Sequence, residues 1–136
     1  MYKYFNIDFK NNINILYFDI NFLKEANYIY GHTEIDKILN EILEYLKNSE
    51  ENGISSRIGG DEFIIITDTN IKNIYNEINK ILAKKHLTAT YAYIQKNINQ
   101  PVRLAVDIDL LDRIVYYSKY TNQRKTNNLI SLKKIN

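Results

Sequence analysis

The chain of 136 residues is long enough for a single two-layer core, and we expect residues 1–136 to form one domain. Its 18 Lys and Arg residues against 16 Asp and Glu give a formal charge of +2, which is too balanced to indicate direct nucleic-acid binding. The absence of cysteine excludes disulfides and thiolate metal sites, and no run approaches the ~18 apolar residues of a membrane-spanning helix, so we expect a soluble cytoplasmic protein without a membrane partner.

An apolar run that ends in a carboxylate opens the predicted fold. The residues Ile13–Asp19 are typical of a buried strand, which we place over residues 13–20. A short helix is predicted to begin at Asn21–Leu23, including Phe22, and to end at Gly31. The free N–H groups at the start of that helix would hold a phosphate.

A second helix is predicted from apolar residues that recur at helical spacing. It runs from Thr33 to about Asn48, and Gly53 is expected to cap its C-terminal end. The residues Thr33–Asp36 also form a variant of the capping box, which is typical of a helix start. The helix therefore has one continuous apolar face to pack against a sheet.

A hairpin is predicted where two glycines and two acids separate a pair of extended runs. The stretch is Arg57–Phe63, and we expect Gly59 and Gly60 to supply positive φ for the turn and to leave room for a phosphate. Arg57 is expected to support the hairpin. Strand alternation would point Asp61 and Glu62 to opposite sides, so that one faces a ligand and the other reaches around its edge.

The second half of the chain supplies the remaining elements. Asp68-Thr69-Asn70 is a cap signal for a helix that runs to about Lys84, and Leu87–Gln95 reads as a strand. A last helix is predicted over residues 107–121 and an edge strand over Leu129–Leu132. The order of elements predicts an α+β ferredoxin-like palm domain, with four core antiparallel strands and helices packed on one face.

Carboxylates at the ends of two predicted strands indicate a metal site. Mg²⁺ prefers oxygen ligands, commonly one or two carboxylates together with substrate phosphates. Asp19 with Asp61 or Glu62 meets that requirement. The alternative is an exposed acidic turn and an unrelated acid at a strand end, which would not explain the adjacent glycines.

Two sequence blocks resemble the GGDEF family, the palm-type catalytic domains of nucleotide cyclases such as diguanylate cyclases. The first block is Gly59–Phe63, and the second runs from Asp19 through Asn27 to Tyr30-Gly31-His32. A third and weaker block, Leu111–Lys119, resembles the late helix of the family. The resemblance implies a GGDEF-type palm that uses Mg²⁺ or Mn²⁺ to join two nucleoside triphosphates, ATP or GTP, into a cyclic dinucleotide with release of pyrophosphate.

The resemblance also implies roles for individual residues. Metal ligands would be Asp19, the carbonyl of Ile20, Asp61 and Glu62, with Glu62 alternatively orienting the attacking hydroxyl. Nucleotide contacts would come from Asn21, Phe22, Leu23, Asn27, Asp36, Gly59, Gly60, Lys119 and Arg124. Asn27 and Asp36 would hold the base edge, and Lys119 the terminal phosphates. For Asp36 a helix-capping role and for Lys119 a solvated helix end remain alternatives, and His32 is read as a structural residue of the turn.

Departures from the family pattern point to one of its branches. Asn21 stands where the family has a second acid, and Gln123 replaces an expected basic residue beside Arg124. A short stand-alone palm resembles the minimal CRISPR-polymerase-like cyclases of bacterial anti-phage defence. That branch implies a homodimer or higher homo-oligomer and an effector that reads the product. The alternatives are a small diguanylate cyclase that makes cyclic di-GMP and a non-catalytic module that senses a nucleotide.

Overall fold

A computed structural model describes residues 12–49, 53–97, 103–121 and 128–132. These residues form an α+β fold whose elements alternate as predicted. The elements are β1 (Ile13–Ile20), α1 (Leu23–Tyr30), α2 (His32–Asn48), β2 (Gly53–Arg57), β3 (Glu62–Thr67), α3 (Ile71–Ala83), β4 (Ala89–Lys96), α4 (Leu104–Thr121) and β5 (Asn128–Leu132). None of the helices in these ranges is both long and apolar enough to cross a lipid bilayer.

The strands form a five-stranded sheet with β1 at its centre. The order is β2-β3-β1-β4-β5, and the pairs β2–β3, β3–β1 and β1–β4 are antiparallel. β5 lies at the edge and pairs parallel with β4, which confirms the predicted edge strand. Residues Ile13 to Phe18 of β1 are all buried, because this strand has a hydrogen-bonded neighbour on each side and a covered surface above and below.

Helices cover both faces of the sheet, so the expectation that they pack on one face is wrong. Leu16, Phe18 and Ile20 of β1 belong to the core cluster shared with α1, α2 and α3. The alternate residues Ile15 and Tyr17 belong to a second cluster that includes residues of α4. A strand that is apolar on both faces requires cover on both, since either face would otherwise lie in water.

Several helix ends match the sequence patterns, including the end of α1 at Gly31, and two patterns differ. The side chain of Asn70 caps α3, because its Oδ1 accepts a hydrogen bond from the N–H of Lys72 at 2.8 Å. Gly53 is not a helix cap; it begins β2, where an added Cβ would lie 2.5 Å from the carbonyl oxygen of Ile66 on the neighbouring strand. Thr33–Asp36 is not a capping box either, since α2 begins at His32 and Gly31 precedes it without a side-chain cap.

Candidate active site

Three carboxylates converge at one end of the central strand pair. β1 and β3 are antiparallel with Asp19 directly opposite Glu62, and the N–H of Ile20 donates to the carbonyl oxygen of Asp61 at 3.0 Å. Carboxylate oxygens of Asp19, Asp61 and Glu62 all lie within 4.8 Å of one another. The expected divergence of Asp61 and Glu62 is wrong, because Asp61 precedes β3 and strand alternation does not apply to it.

Burial and mutual repulsion raise the pKa of two of these acids. The pKa of Asp19 is raised to about 7, mainly by burial and further by Asp61, although the ammonium of Lys119 acts in the opposite direction. Burial and the neighbouring charge of Asp61 also raise the pKa of Glu62. Negative charge at this position is therefore under-compensated by the protein itself. A set of oxygen ligands with surplus negative charge fits a hard divalent cation.

The two glycines of the hairpin turn have different surroundings. Neither has positive φ, since Gly31 is the glycine of the described residues that does, and the expectation for the turn is wrong on that point. A Cβ added to Gly59 would lie 2.8 Å from Oε2 of Glu62, whereas a Cβ on Gly60 would meet nothing within 4 Å. Gly59 therefore makes room for Glu62, and Gly60 leaves the turn open towards solvent.

Arg57 supports the turn as expected. Its Nε donates to the carbonyl oxygens of Gly59 and Gly60 at 3.2 and 3.0 Å. The N–H of Ile58 donates to the carbonyl oxygen of Glu62 at 2.9 Å, which closes the turn from the other side. These hydrogen bonds pair backbone carbonyl groups next to the acids, and they stabilise the turn that contains Asp61.

Lys119 reaches the acids from α4, on the opposite face of the sheet from α1–α3. Its Nζ lies 2.6 Å from Oδ1 of Asp19 and donates to the carbonyl oxygen of Ile20 at 3.3 Å. α4 is held to the sheet two helical turns earlier, where the hydroxyl of Tyr17 donates to Oδ1 of Asp112 at 2.9 Å. The structure thus brings the lysine predicted to bind phosphates to the same end of β1 as the predicted metal ligands.

Asn21 is held by hydrogen bonds within the protein, and its role as a nucleotide contact stays a prediction. It is fully buried, its Nδ2 donates to Oγ1 of Thr88 at 2.9 Å, and its Oδ1 accepts from the hydroxyl of Thr90 at 3.0 Å. Its backbone N–H donates to the carbonyl oxygen of Thr88 at 2.8 Å. Both the side chain and the backbone N–H are therefore hydrogen-bonded to β4 and to the segment before it. Phe22 follows with φ 57°, and α1 begins at Leu23.

A cleft of about 620 Å³ lies beside the acids, between α1, α2 and the hairpin turn. It is lined by Leu23, Lys24, Asn27, Tyr28, His32, Gly60 and Asp61. Oδ1 of Asn27 is buried and has no hydrogen-bond partner within the described ranges, so it is an acceptor available to a ligand. Asp36 is exposed on α2, one helical turn beyond His32. Arg124 lies outside the described residues.

The cleft includes residues that sequence reasoning missed or read otherwise. Lys24 and Tyr28 were not predicted, and His32 was read as a structural residue of the turn. A signal for the first two was present, because positions 23, 24, 27 and 28 share one face of a helix. His32 had no such signal, since its position depends on the angle between α1 and α2.

Comparisons with known proteins identify a matching family and a similar relative. A family model described as "Diguanylate cyclase, GGDEF domain" matches residues 6–119. Diguanylate cyclase A of Treponema denticola is 26% identical over 129 residues, a match that covers 85% of this chain and 35% of the relative. The chain therefore spans about a third of the length of this curated relative.

Two solved structures resemble the fold. The active GGEEF domain of a diguanylate cyclase from Vibrio cholerae has a TM-score of 0.67 at 16% identity, covering 93% of this chain and 86% of that domain. The GGDEF domain of DgcB from Caulobacter crescentus in complex with c-di-GMP has a TM-score of 0.62 at 15% identity, covering 89% of this chain and 78% of that one. At such identities the likeness concerns the fold, and it confirms the palm architecture.

Proposed function

The chain belongs to the GGDEF diguanylate cyclase family, and on that premise we propose that it joins two nucleoside triphosphates into a cyclic dinucleotide. Members of this family are nucleotidyltransferases that make such products. The observation that carries the proposal is the convergence of Asp19, Asp61 and Glu62 within 4.8 Å, next to a cleft lined by Asp61 and Asn27. A carboxylate cluster that includes Asp61, a residue of the cleft lining, supports metal-assisted nucleotide chemistry over simple binding.

The acids and one backbone oxygen would hold the divalent cation, Mg²⁺ or Mn²⁺. Asp19, Asp61, Glu62 and the carbonyl of Ile20 offer oxygen ligands only. Burial first, and the negative charge of Asp61 second, raise the pKa values of Asp19 and Glu62, and a bound cation would offset both effects. When bound, the cation would neutralise negative charge that develops on the triphosphate during the reaction. A magnesium titration that leaves the melting temperature unchanged would count against this assignment.

The residues of the chain then position the reacting groups. A ribose hydroxyl oxygen bonds to the α-phosphorus of a second nucleotide while the bond from that phosphorus to the leaving pyrophosphate breaks. Glu62 would orient the attacking hydroxyl if it is not itself a metal ligand. Lys119 already lies 2.6 Å from Asp19, which supports a role close to the terminal phosphates. Two such transfers close the ring, and two pyrophosphates leave.

The proposed substrate is GTP and the proposed product cyclic di-GMP. Guanine is supported by the relative from Treponema denticola, a diguanylate cyclase, and by the c-di-GMP complex of the DgcB domain. Asn27 with Asp36 would hold the base edge. Use of ATP and a role in anti-phage defence, which the minimal CRISPR-polymerase-like resemblance implies, stay predictions. A cytoplasmic location, an effector for the product and a single domain over residues 1–136 stay predictions as well.

The test is to incubate the purified protein with ATP, GTP, CTP and UTP, singly and mixed, with Mg²⁺ or Mn²⁺, and to identify products by mass spectrometry. Cyclic di-GMP is the expected product, whereas an adenine-containing ring would favour the defence branch. Nucleotide binding without any product would favour a sensing module.

The matched variants are Asp61→Asn and Glu44→Gln, the second an exposed acid on α2. We expect Asp61→Asn to lower turnover by at least about a hundredfold with a stability change within about 0.5 kcal/mol, because Asp61 lies in a turn outside the core. Glu44→Gln should leave both turnover and stability unchanged. Full turnover by Asp61→Asn would refute the catalytic assignment.

A further inference from the structure

The ring of Tyr28 is an unusually exposed aromatic group at the edge of the proposed nucleotide site. Its relative exposure is 93%, although it lines the same cleft as Asn27 and Asp61. A tyrosine carries a large apolar ring with a polar tip, and burying that ring against a flat partner is favourable. The exposed face of Tyr28 is therefore surface that a ligand in the cleft would cover.

The position of Tyr28 relative to Asn27 fits the base end of a nucleotide. The two residues are consecutive in α1. Oδ1 of Asn27 is buried and has no hydrogen-bond partner among the residues that the structure describes, so it can accept a hydrogen bond from an N–H group of a ligand. Asp61 lines the cleft as well and belongs to the carboxylate cluster, where the phosphates would lie. A nucleotide with its phosphates at the carboxylates and its base at α1 would bring the base within reach of the ring.

We propose that Tyr28 is a substrate-positioning residue that stacks on the base of the bound nucleoside triphosphate. This inference rests on the proposed function. Every nucleobase has a π-face, so stacking supplies affinity without choosing among bases, and alanine substitution of such platforms weakens binding substantially. Choice of base would remain with hydrogen-bonding groups such as Asn27, and Tyr28 would set how tightly any purine nucleotide is held.

The experiment measures equilibrium binding by calorimetry with three probes in the presence of Mg²⁺. Non-hydrolysable analogues of GTP and ATP carry a base, and inorganic tripolyphosphate does not. The variants are Tyr28→Ala, Tyr28→Phe and the control Ile29→Ala, a residue of the same helix that is 70% exposed and does not line the cleft. Because Tyr28 and Ile29 contribute little to the core, these variants are expected to fold.

We expect Tyr28→Ala to weaken binding of the base-carrying analogues about five- to a hundredfold while tripolyphosphate binds as before. Tyr28→Phe should restore affinity to within about twofold, because stacking needs the ring and not the hydroxyl. Ile29→Ala should leave the affinities for all three probes unchanged. In steady-state assays Tyr28→Ala should raise KM and leave kcat unchanged at saturating nucleotide.

Other outcomes would overturn the inference in recognisable ways. If tripolyphosphate binding falls together with analogue binding, Tyr28 has a structural role instead. If Tyr28→Phe does not restore affinity for the analogues, the hydroxyl group and not the ring is responsible for the binding contribution of Tyr28. Unchanged analogue binding by Tyr28→Ala would reject stacking and leave the proposed function standing. Failure of the unaltered protein to bind either analogue would reject the proposed function and this inference together.

Discussion

Gly59 and Gly60 are adjacent, but their surroundings differ. Gly59 faces Glu62, and an added Cβ would lie 2.8 Å from Oε2 of that side chain. We expect Gly59→Ala to displace Glu62 and to weaken Mn²⁺ binding about tenfold or more, as loss of groups that orient metal ligands does. Gly60→Ala, with no atom within 4 Å of the new Cβ, should keep Mn²⁺ affinity within about twofold of the unaltered protein.

The measurement is Mn²⁺ binding followed by electron paramagnetic resonance in both variants. Gly60 also lines the cleft, so a methyl group there is expected to reduce nucleotide affinity without affecting the metal. Equal Mn²⁺ affinities in the two alanine variants would contradict the assignment of Glu62 as a group whose position Gly59 protects.

The raised pKa of Asp19 makes metal-free stability depend on pH. Its pKa is about 7 in the folded protein, against an ordinary value of 3.8 for an aspartate side chain. Below about pH 4 both states are protonated, and as pH rises towards 7 the unfolded state ionises first, so the free energy of unfolding falls. The loss is complete above about pH 8.

We therefore expect the free energy of unfolding of Asp19→Asn to lack this part of the dependence on pH. Between pH 5 and 8.5 the free energy of unfolding of the unaltered protein should fall by about 1–2 kcal/mol more than that of Asp19→Asn, after allowance for solvent screening. The measurement is urea unfolding in excess EDTA at the two pH values, comparing changes and not absolute stabilities, because the variant also unpairs Lys119. Parallel pH profiles would show that Asp19 titrates normally.

At the scale of elements, the junction of α1 and α2 depends on one backbone conformation. Gly31 has φ 84° and ψ 153°, a region that is essentially restricted to glycine. The junction turns the chain so that His32, at the start of α2, lines the cleft formed by α1. This short connection therefore determines the cleft's shape as well as the helix packing.

Replacing Gly31 by alanine should destabilise the protein by about 1–3 kcal/mol, although the new methyl group would meet no atom within 4 Å. The cost is backbone strain and not a clash, so Gly31→Ala and Gly60→Ala are a matched pair, both with open space around the added Cβ. Urea denaturation of the two variants tests this expectation. An equally stable Gly31→Ala protein would mean that the junction relaxes without strain.

Local patterns predicted the elements better than their arrangement. Apolar spacing identified α2 and α3, and a mostly apolar run identified β1. The cover of the second sheet face by α4 was missed, because helical periodicity does not specify which face of a sheet a helix packs against. The burial of Ile15 and Tyr17 beneath α4 could have been inferred from a strand with apolar residues on both of its faces.

The candidate site was predictable where residues lie on paired strands. Asp19 and Glu62 are neighbours because β1 and β3 end together, so a hairpin next to a buried strand indicates their proximity. The hydrogen bonds of Asn21 to Thr88 and Thr90 could not be predicted, because these partners are far away in sequence. Contacts of that kind have no local signature.

At the scale of the whole molecule, we expect two chains to cooperate in making the proposed product. Each chain has one such carboxylate cluster within its described residues, and two nucleotides must be joined twice. Product formation per molecule of enzyme is therefore expected to rise with protein concentration until dimers saturate, whereas an independent monomer would give a constant value. Turnover measured across a dilution series tests this, with product identified by mass spectrometry.

A mixing experiment provides the control. Excess Asp61→Asn protein should lower the product made by the unaltered chain, since mixed pairs would contain one impaired carboxylate cluster, while excess Glu44→Gln should not. Constant specific activity on dilution, with no inhibition by the inactive variant, would show that one chain suffices.

The central position of β1 also has a consequence during protein synthesis. β1 comes first in chain order among the described elements, yet its partners β3 and β4 begin at Glu62 and Ala89. At about 5–20 residues per second, the ribosome needs several seconds after completing β1 before both neighbours exist. Until then a strand that is apolar on both faces emerges without its pairs, and it is the segment on which we expect nascent-chain chaperones to act.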